Sequence, residues 1–331
     1  MGKIFNFFSG TKNKNDKGVS KEQAVRDKQL GFKYFFKLMW SRLGKLSASN
    51  LIFSLCNIPI FIFLFGLAGF CNTTVPAPSD PLYAQLYGIM QYESNPTVSS
   101  LYGVVGTQAD MEVISNTSKI LMSTAFLLIF TIGLSTIGLV YNMRNICKGE
   151  HVDTWSDYFY AIKRNFRQGI FIAIFDVLIC GILIYDIIAY RANIDNSFIM
   201  QVFYYSSVFF AAVYYIMRFY IYIQLVTCKM KTSKILKNSL LLVPLGIKRN
   251  IVGFIAALVF IFAFVYLFIF FPSVSIILIF MFAISFLTYL GVYCAYPVVD
   301  KYVIQPYYEE HPEDKPYEPS EDTEQVFSDR E

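Results

Sequence analysis

The stretch HVDTWSDYFYAIKRNFRQGI, residues 151–170, places His151 two positions before Asp153. An imidazole beside a carboxylate is a pairing that general acid–base catalysis uses. The only other histidine is His311, so neither imidazole has a second of its kind at metal-ligand spacing. Asp153 has a simpler reading. It precedes a helical pattern, where a carboxylate serves the unpaired N–H groups of the first turn. Thr154 and Asp157 are spaced for a capping box on that same turn. The chain contains no G-x-x-x-x-G-K-[ST] loop, no H-E-x-x-H and no G-x-S-x-G. The expectation is a non-enzymatic protein with no catalytic residue, no metal and no cofactor.

A second set of chemistry-capable residues lies inside apolar runs. Ionised groups there cost about 2.5–3.5 kcal/mol on insertion scales and face a partner or water. Asp176 stands roughly 11 Å along a helix from the start of its run, and Arg218 roughly 9 Å from the end of the next. The two runs are antiparallel neighbours in sequence, so opposite charges at matching depth can pair. Asn57, beside Pro59, and Ser135 and Thr288 fall near the same depth. The sequence therefore predicts an intramembrane polar cluster of Asn57, Ser135, Asp176, Arg218 and Thr288. It serves either as helix-to-helix glue or as the lining of a solute path.

The elements that position these residues follow from composition. Hydrophobic residues are 55% of the chain and charged residues 16%, which excludes an ordinary soluble domain. Charge-poor runs predict six transmembrane helices over 48–70, 120–142, 169–190, 198–224, 251–271 and 274–297. Lys and Arg crowd residues 1–47, the connection before 169 and the connection 229–249, whereas residues 71–118 contain neither. By the positive-inside rule both termini are cytoplasmic. The chain divides into a basic N-terminal segment 1–30, a membrane domain 31–299 with an outer loop 71–114, and an acidic, disordered tail 300–331 able to fold back on the basic connections. In the outer loop, residues 81–92 have the spacing of a short helix. The six cysteines are spread over spans and connections, which argues against a disulfide framework.

The opening stretch gains a second meaning in this setting. Trp155, Phe159, Ile162 and Phe166 recur at helical spacing, with Lys163, Arg164 and Arg167 away from that stripe. Aromatic and basic residues arranged so beside a span describe an interfacial helix, here against anionic lipid headgroups of the cytoplasmic face. The same pattern precedes the first span, where Phe32, Phe35, Phe36, Met39 and Leu43 form the stripe. It recurs before the fifth span, around Lys234 and Lys237. The unit of short helix, hinge and span is thus used three times. The fold class is all-α: a polytopic membrane protein with six spans and three cytoplasmic amphipathic helices.

Four stretches carry a resemblance: DKGVSKEQAVRDKQLGFKYFFKL at 16, KLSASNLIFSL at 45, NMRNICKGEHVDTWSDYFYAIKRNFRQG at 142 and YIQLVTCKMKTSKILKNSLLL at 222. On these the chain resembles the YesL-like family of bacterial integral membrane proteins. The long outer loop and the acidic tail depart from the family pattern, and Cys228 replaces an aromatic residue. The resemblance implies an accessory role beside ATP-driven (ABC-type) importers of carbohydrate, in the plasma membrane, with the bilayer and importer subunits as partners and no nucleic acid. Trp155, Phe159, Ile162, Lys163, Arg164, Phe166, Lys234 and Lys237 are the expected docking surface. The runner-up is a small transporter or channel working through Asp176 and Arg218.

Overall fold

The computed structural model describes residues 31–78, 96–97, 100, 108–195 and 197–314. The N-terminal segment 1–30, the helix expected over 81–92 and the tail from 315 onward lie outside them. The described chain begins with helices α1 (Phe32–Ser41), α2 (Leu43–Cys56) and α3 (Ile58–Leu67). Strands β1 (Thr73–Pro78) and β2 (Gln108–Val113) follow, then α4 (Asn116–Ser123), α5 (Ala125–Cys147), α6 (Thr154–Arg164) and α7 (Phe166–Ala192). The last part holds α8 (Phe198–Thr227), α9 (Thr232–Leu245), α10 (Ile247–Phe270), α11 (Pro272–Leu278), α12 (Ile284–Val299) and α13 (Gln305–Glu310). Wider π-helical turns at Ile279–Ala283 and Asp300–Ile304 join α11, α12 and α13 into one rod, Pro272–Glu310.

Five helices are long and apolar enough to cross a membrane: Asn116–Cys147, Phe166–Ala192, Phe198–Thr227, Ile247–Phe270 and Pro272–Glu310. The pair α2 and α3 supplies a sixth if taken as one broken span. The first expected span, 48–70, is therefore not one helix. It breaks at Asn57 (φ −109°, ψ 25°) because Pro59 has no N–H to give the ladder and its ring crowds the preceding turn. Three further corrections concern the ends. Residues 73–78 and 108–113 form an antiparallel ribbon, Thr73 opposite Val113 and Pro78 opposite Gln108, inside what reads as an irregular loop. Two-stranded ribbons accept proline because both strands are edges. Residues 300–310 are helical, not tail, since extending a formed helix costs far less than starting one. Asp153, not Thr154, is the N-cap of α6. Its N–H donates to Asp157 Oδ2 at 3.0 Å, so only the reach-back half of the capping box forms, from one residue further along.

Two compact units divide the chain. In the smaller, Cys56–Ile132, α3 packs on α4: Thr124 Oγ1 donates to Pro59 O at 3.3 Å, and Ser118 Oγ to Asn72 Oδ1 at 2.8 Å. In the larger, Met1–Leu55 with Gly133–Glu331, α8 is the central helix and packs on α7, α9 and α12. Its fully buried side chains come from one end of the helices: Ile137, Leu139 and Met143 of α5, Ile172 of α7, Tyr220 to Ile223 of α8 and Tyr289 of α12. Towards the other end the long helices expose their apolar side chains, and no more than 33% of any span window is buried. Such surfaces suit a lipid solvent, which removes the penalty that water would impose on them. Helices α5 and α7 touch backbone to backbone at Gly133, where a Cβ would lie 2.1 Å from that of Ala173.

The three short helices α1, α6 and α9 each meet their span at a single residue. Arg42 (φ −117°, ψ 16°), Asn165 (−108°, 16°) and Gly246 (−92°, 14°) adopt one conformation. Each joint N–H still donates four residues back, to Leu38, Ala161 and Leu242. Each joint carbonyl still accepts from four residues on, from Leu46, Gly169 and Asn250. The backbone thus turns a corner with its hydrogen bonds nearly intact, three times in the same way. Burial keeps the same register. Phe35, Tyr158 and Ser239 lie seven residues before their joints, Leu38, Ala161 and Leu242 four before, and all six are buried.

The π-helical turn Ile279–Ala283 leaves backbone groups off the ladder, and Asn50 of α2 takes them up. Its Nδ2 donates to Ile279 O (2.7 Å) and Phe280 O (2.6 Å), and its Oδ1 accepts from the Ser285 N–H (2.7 Å). Asn50→Ala is expected to lower stability by about 1–3 kcal/mol, the cost of leaving buried backbone groups unpaired. Asn50→Asp is expected to cost at least as much, because a carboxylate keeps the acceptor but faces two carbonyls with no donor. Thermal unfolding in detergent checks the order; an Asp variant as stable as wild type would show that the two donor bonds contribute nothing.

Candidate functional site

Asp176 sits in the third turn of α7, on the face turned to α8. Arg218 Nη2 and Nε donate to its Oδ2 at 2.7 and 3.1 Å. The Tyr222 hydroxyl adds a third donor to Oδ2 at 3.0 Å, and the Tyr214 hydroxyl donates to Oδ1 at 2.8 Å. Cys180 Sγ approaches Oδ1 at 3.8 Å, one helical turn further along α7. Tyr214, Arg218 and Tyr222 are spaced four apart on α8, so one helix face supplies every oxygen and nitrogen donor. The carboxylate has about four lone-pair directions and all are engaged. The Asp176 side chain is 4% exposed and that of Arg218 29% exposed, so the anion is sealed and the cation forms the outer wall.

This arrangement can hold two helices in register, and it leaves no carboxylate acceptor for a passing solute. The remaining predicted members do not join it through any described hydrogen bond. Ser135 is buried, and its carbonyl accepts from Tyr158 Oη at 2.7 Å. Thr288 Oγ1 donates to Ile284 O, one turn back on its own helix. Asn57 is buried at the α2–α3 break and belongs to the smaller unit. Similar depth alone does not decide which residues meet, because depth along an axis says nothing about the direction in which a helix turns its side chains. The tyrosines were the missed partners. Their signal was available in the i, i+4 spacing around Arg218.

The second candidate is α6. Thr154, Tyr158 and Ala161 are buried, and the Tyr158 ring fills the space where a Cβ on Gly138 would lie, 2.7 Å from its Cγ. Asn142 Nδ2 donates to Ser49 Oγ (3.2 Å) and to Thr154 O (3.0 Å), tying α2, α5 and α6 together. The predicted aromatic stripe lies on another face. Trp155 is 59% and Phe159 42% exposed, their rings 5.3 Å apart, and Phe166 is exposed as well. Ile162 is half-buried; Lys163, Lys234 and Lys237 are exposed. On α1 the stripe divides: Phe35 and Met39 are buried, Phe32 and Phe36 exposed, and Leu43 belongs to α2. His151 is exposed, and among the described residues no three of His, Cys, Asp and Glu are grouped to hold a metal ion.

Arg164 is exposed like the lysines, and its guanidinium also has a partner in the bundle. Its Nη2 donates to Val226 O at the end of α8, where Arg144 Nη1 also donates, at 3.2 Å. Arg144 reaches Thr227 Oγ1 at 3.1 Å as well, and lies over the Tyr141 ring at 4.6 Å. Gln168 Nε2 donates to Met230 O at 3.0 Å just beyond. Two guanidinium groups thus gather at the end of α8, where its dipole is negative and its carbonyls lack helix donors. Cys228 follows immediately; burial pushes its thiol pKa up and Arg144 opposes the shift.

These features define an all-α, multi-pass membrane protein whose polar side chains are used mainly to join helices. Residues 113–187 match a family model described as "Protein of unknown function, DUF624". They run from the end of β2 through most of α7. No curated protein and no solved structure matches the chain.

Removing Arg218 is expected to be more damaging than removing Asp176, because it strands a sealed carboxylate rather than a part-exposed cation. Arg218→Gln is expected to cost about 3–5 kcal/mol. Adding Asp176→Asn is then expected to recover part of that loss. A double-mutant cycle on thermal stability measures it; strictly additive losses would mean that the two side chains do not meet.

Proposed function

We propose that this chain is a non-enzymatic accessory membrane protein that docks a cytoplasmic partner of a solute importer through its short helices, α6 foremost. The observation that carries the reading is the division of labour on α6. Thr154, Tyr158 and Ala161 fix the helix against α5, while the Trp155–Phe159 ring pair is left uncovered. Uncovered aromatic pairs on a rigid support have the make-up of interface anchors, since their ordering cost is already met by the fold. The DUF624 match includes the whole of α6. YesL-like proteins are members of that family, which supports the resemblance of the connector sequences and, through it, a place beside ATP-driven carbohydrate importers of the plasma membrane. The Lys and Arg distribution supports cytoplasmic termini. A solute path through Asp176 has less support, because the carboxylate oxygens are already occupied.

Trp155→Ser with Phe159→Ser is expected to abolish co-purification of importer permease and ATPase subunits from native membranes, with thermal stability within about 0.5 kcal/mol of wild type, as for exposed positions elsewhere. Undiminished co-purification of those subunits would reject α6 as the docking element. Solute uptake by the purified protein alone in liposomes would reject the accessory reading.

A further inference from the structure

Charge is segregated along this chain to an unusual degree. Residues 196–299 contain no Asp or Glu, whereas residues 300–331 hold 11 of the 24 acids. Within the acid-free stretch Lys229, Lys231, Lys234, Lys237, Lys248 and Arg249 are all exposed. Helix α9 begins among them. Its N-cap is Lys231, its first turn carries no acid and no side chain caps it, so the positive end of the helix dipole coincides with three lysines. Among the described residues the ion pairs are Lys148–Glu150 and Arg218–Asp176; the α9 lysines are in neither.

The α9–α10 joint at Gly246 packs on α12, where a Cβ would lie 3.0 Å from Val298 Cγ2. From Val298 the described chain runs on to Asp314, roughly 24 Å at helical rise. Beyond Asp314 the sequence runs on for 17 residues that carry Glu318, Glu321, Asp322, Glu324, Asp329 and Glu331 against Lys315 and Arg330. Extended, these residues reach up to roughly 58 Å, against roughly 45 Å for α9 and the stretch from Val298 to Asp314 laid end to end. A tether of this kind holds its end at an effective concentration in the millimolar range, which allows weak ion pairs to add up to a populated contact.

We propose that residues 315–331 dock on the basic face of α9, their carboxylates on Lys231, Lys234 and Lys237. The occupant of that face is the protein's own acidic tail, and an anionic headgroup or acidic partner reaches α9 only by displacing it. The inference rests on charge placement at α9 and is independent of any partner at α6.

Zero-length carbodiimide cross-linking, which joins a carboxylate to an amine already in contact with it, tests this on the full chain in nanodiscs of mixed phosphatidylcholine and phosphatidylglycerol. Mass spectrometry is expected to find intramolecular links from Glu321, Asp322 or Glu324 to Lys231, Lys234 or Lys237. Their yield is expected to fall at least about fivefold between low salt and about 0.5 M NaCl, where the Debye length is only a few ångströms. Glu321→Lys with Asp322→Lys and Glu324→Lys, which leaves α9 untouched, is expected to remove them. Links confined to other lysines, links indifferent to salt, or links found only between isotopically distinct copies would overturn the proposal. So would links present in pure phosphatidylcholine discs but absent from the mixed ones, since lipid headgroups would then occupy the face.

Discussion

A polar group within a hydrocarbon layer has no water to turn to, so its partner has to come from the protein. Asp176 is the most demanding case here, a sealed carboxylate that takes two N–H and two O–H donors from α8 and a thiol from its own helix. Asn50 answers the same demand for backbone, supplying two donors and one acceptor to the groups released by the π-helical turn. At the end of α8, Arg144 and Arg164 meet on the Val226 carbonyl, which has run out of helix. In each place a contact between distant segments is enforced by the cost of leaving a polar group alone, several kcal/mol in hydrocarbon. Apolar packing can slide by a turn at little cost. These contacts cannot, and so they set the register of the larger unit.

The same logic explains why the core lies at one end. The fully buried residues cluster near the joints Arg42, Asn165 and Gly246, where short helices fold back against the bundle and give the spans something to pack on. Further along, helix surfaces are left to lipid. A short helix so placed has a buried face and a second, uncovered apolar face, as α6 shows with Tyr158 on one and Trp155 on the other. Anchoring and presentation are therefore separate tasks for separate residues, and a substitution on one face does not have to disturb the other.

The segment matched by the DUF624 family model holds both sides of the α5–α6 contacts but only one side of those made with α8. Asp176, Arg144, Arg164 and Tyr158 fall within residues 113–187, as does Gly138, which receives Tyr158. Arg218, Tyr222 and Val226, the partners of the first three on α8, fall outside. The matched piece thus supplies half of an interlocking set, and α8 completes it.

Sequence alone determined the membrane class, the long apolar helices and the three-fold use of a short helix followed by a span, because these depend on local composition and period. It also determined that Asp176 and Arg218 are complementary in charge and depth, since a helix has a fixed rise per residue. Tertiary structure decided what depends on rotation about a helix axis and on contacts between remote segments. It admitted Tyr214 and Tyr222 to the Asp176 site, brought the Arg164 guanidinium to the Val226 carbonyl of α8, split the first span at Asn57 and paired β1 with β2. Depth is a one-dimensional property that a sequence carries. The direction of a side chain is set by which neighbour offers the missing hydrogen bond, and that neighbour is found only when the helices have packed.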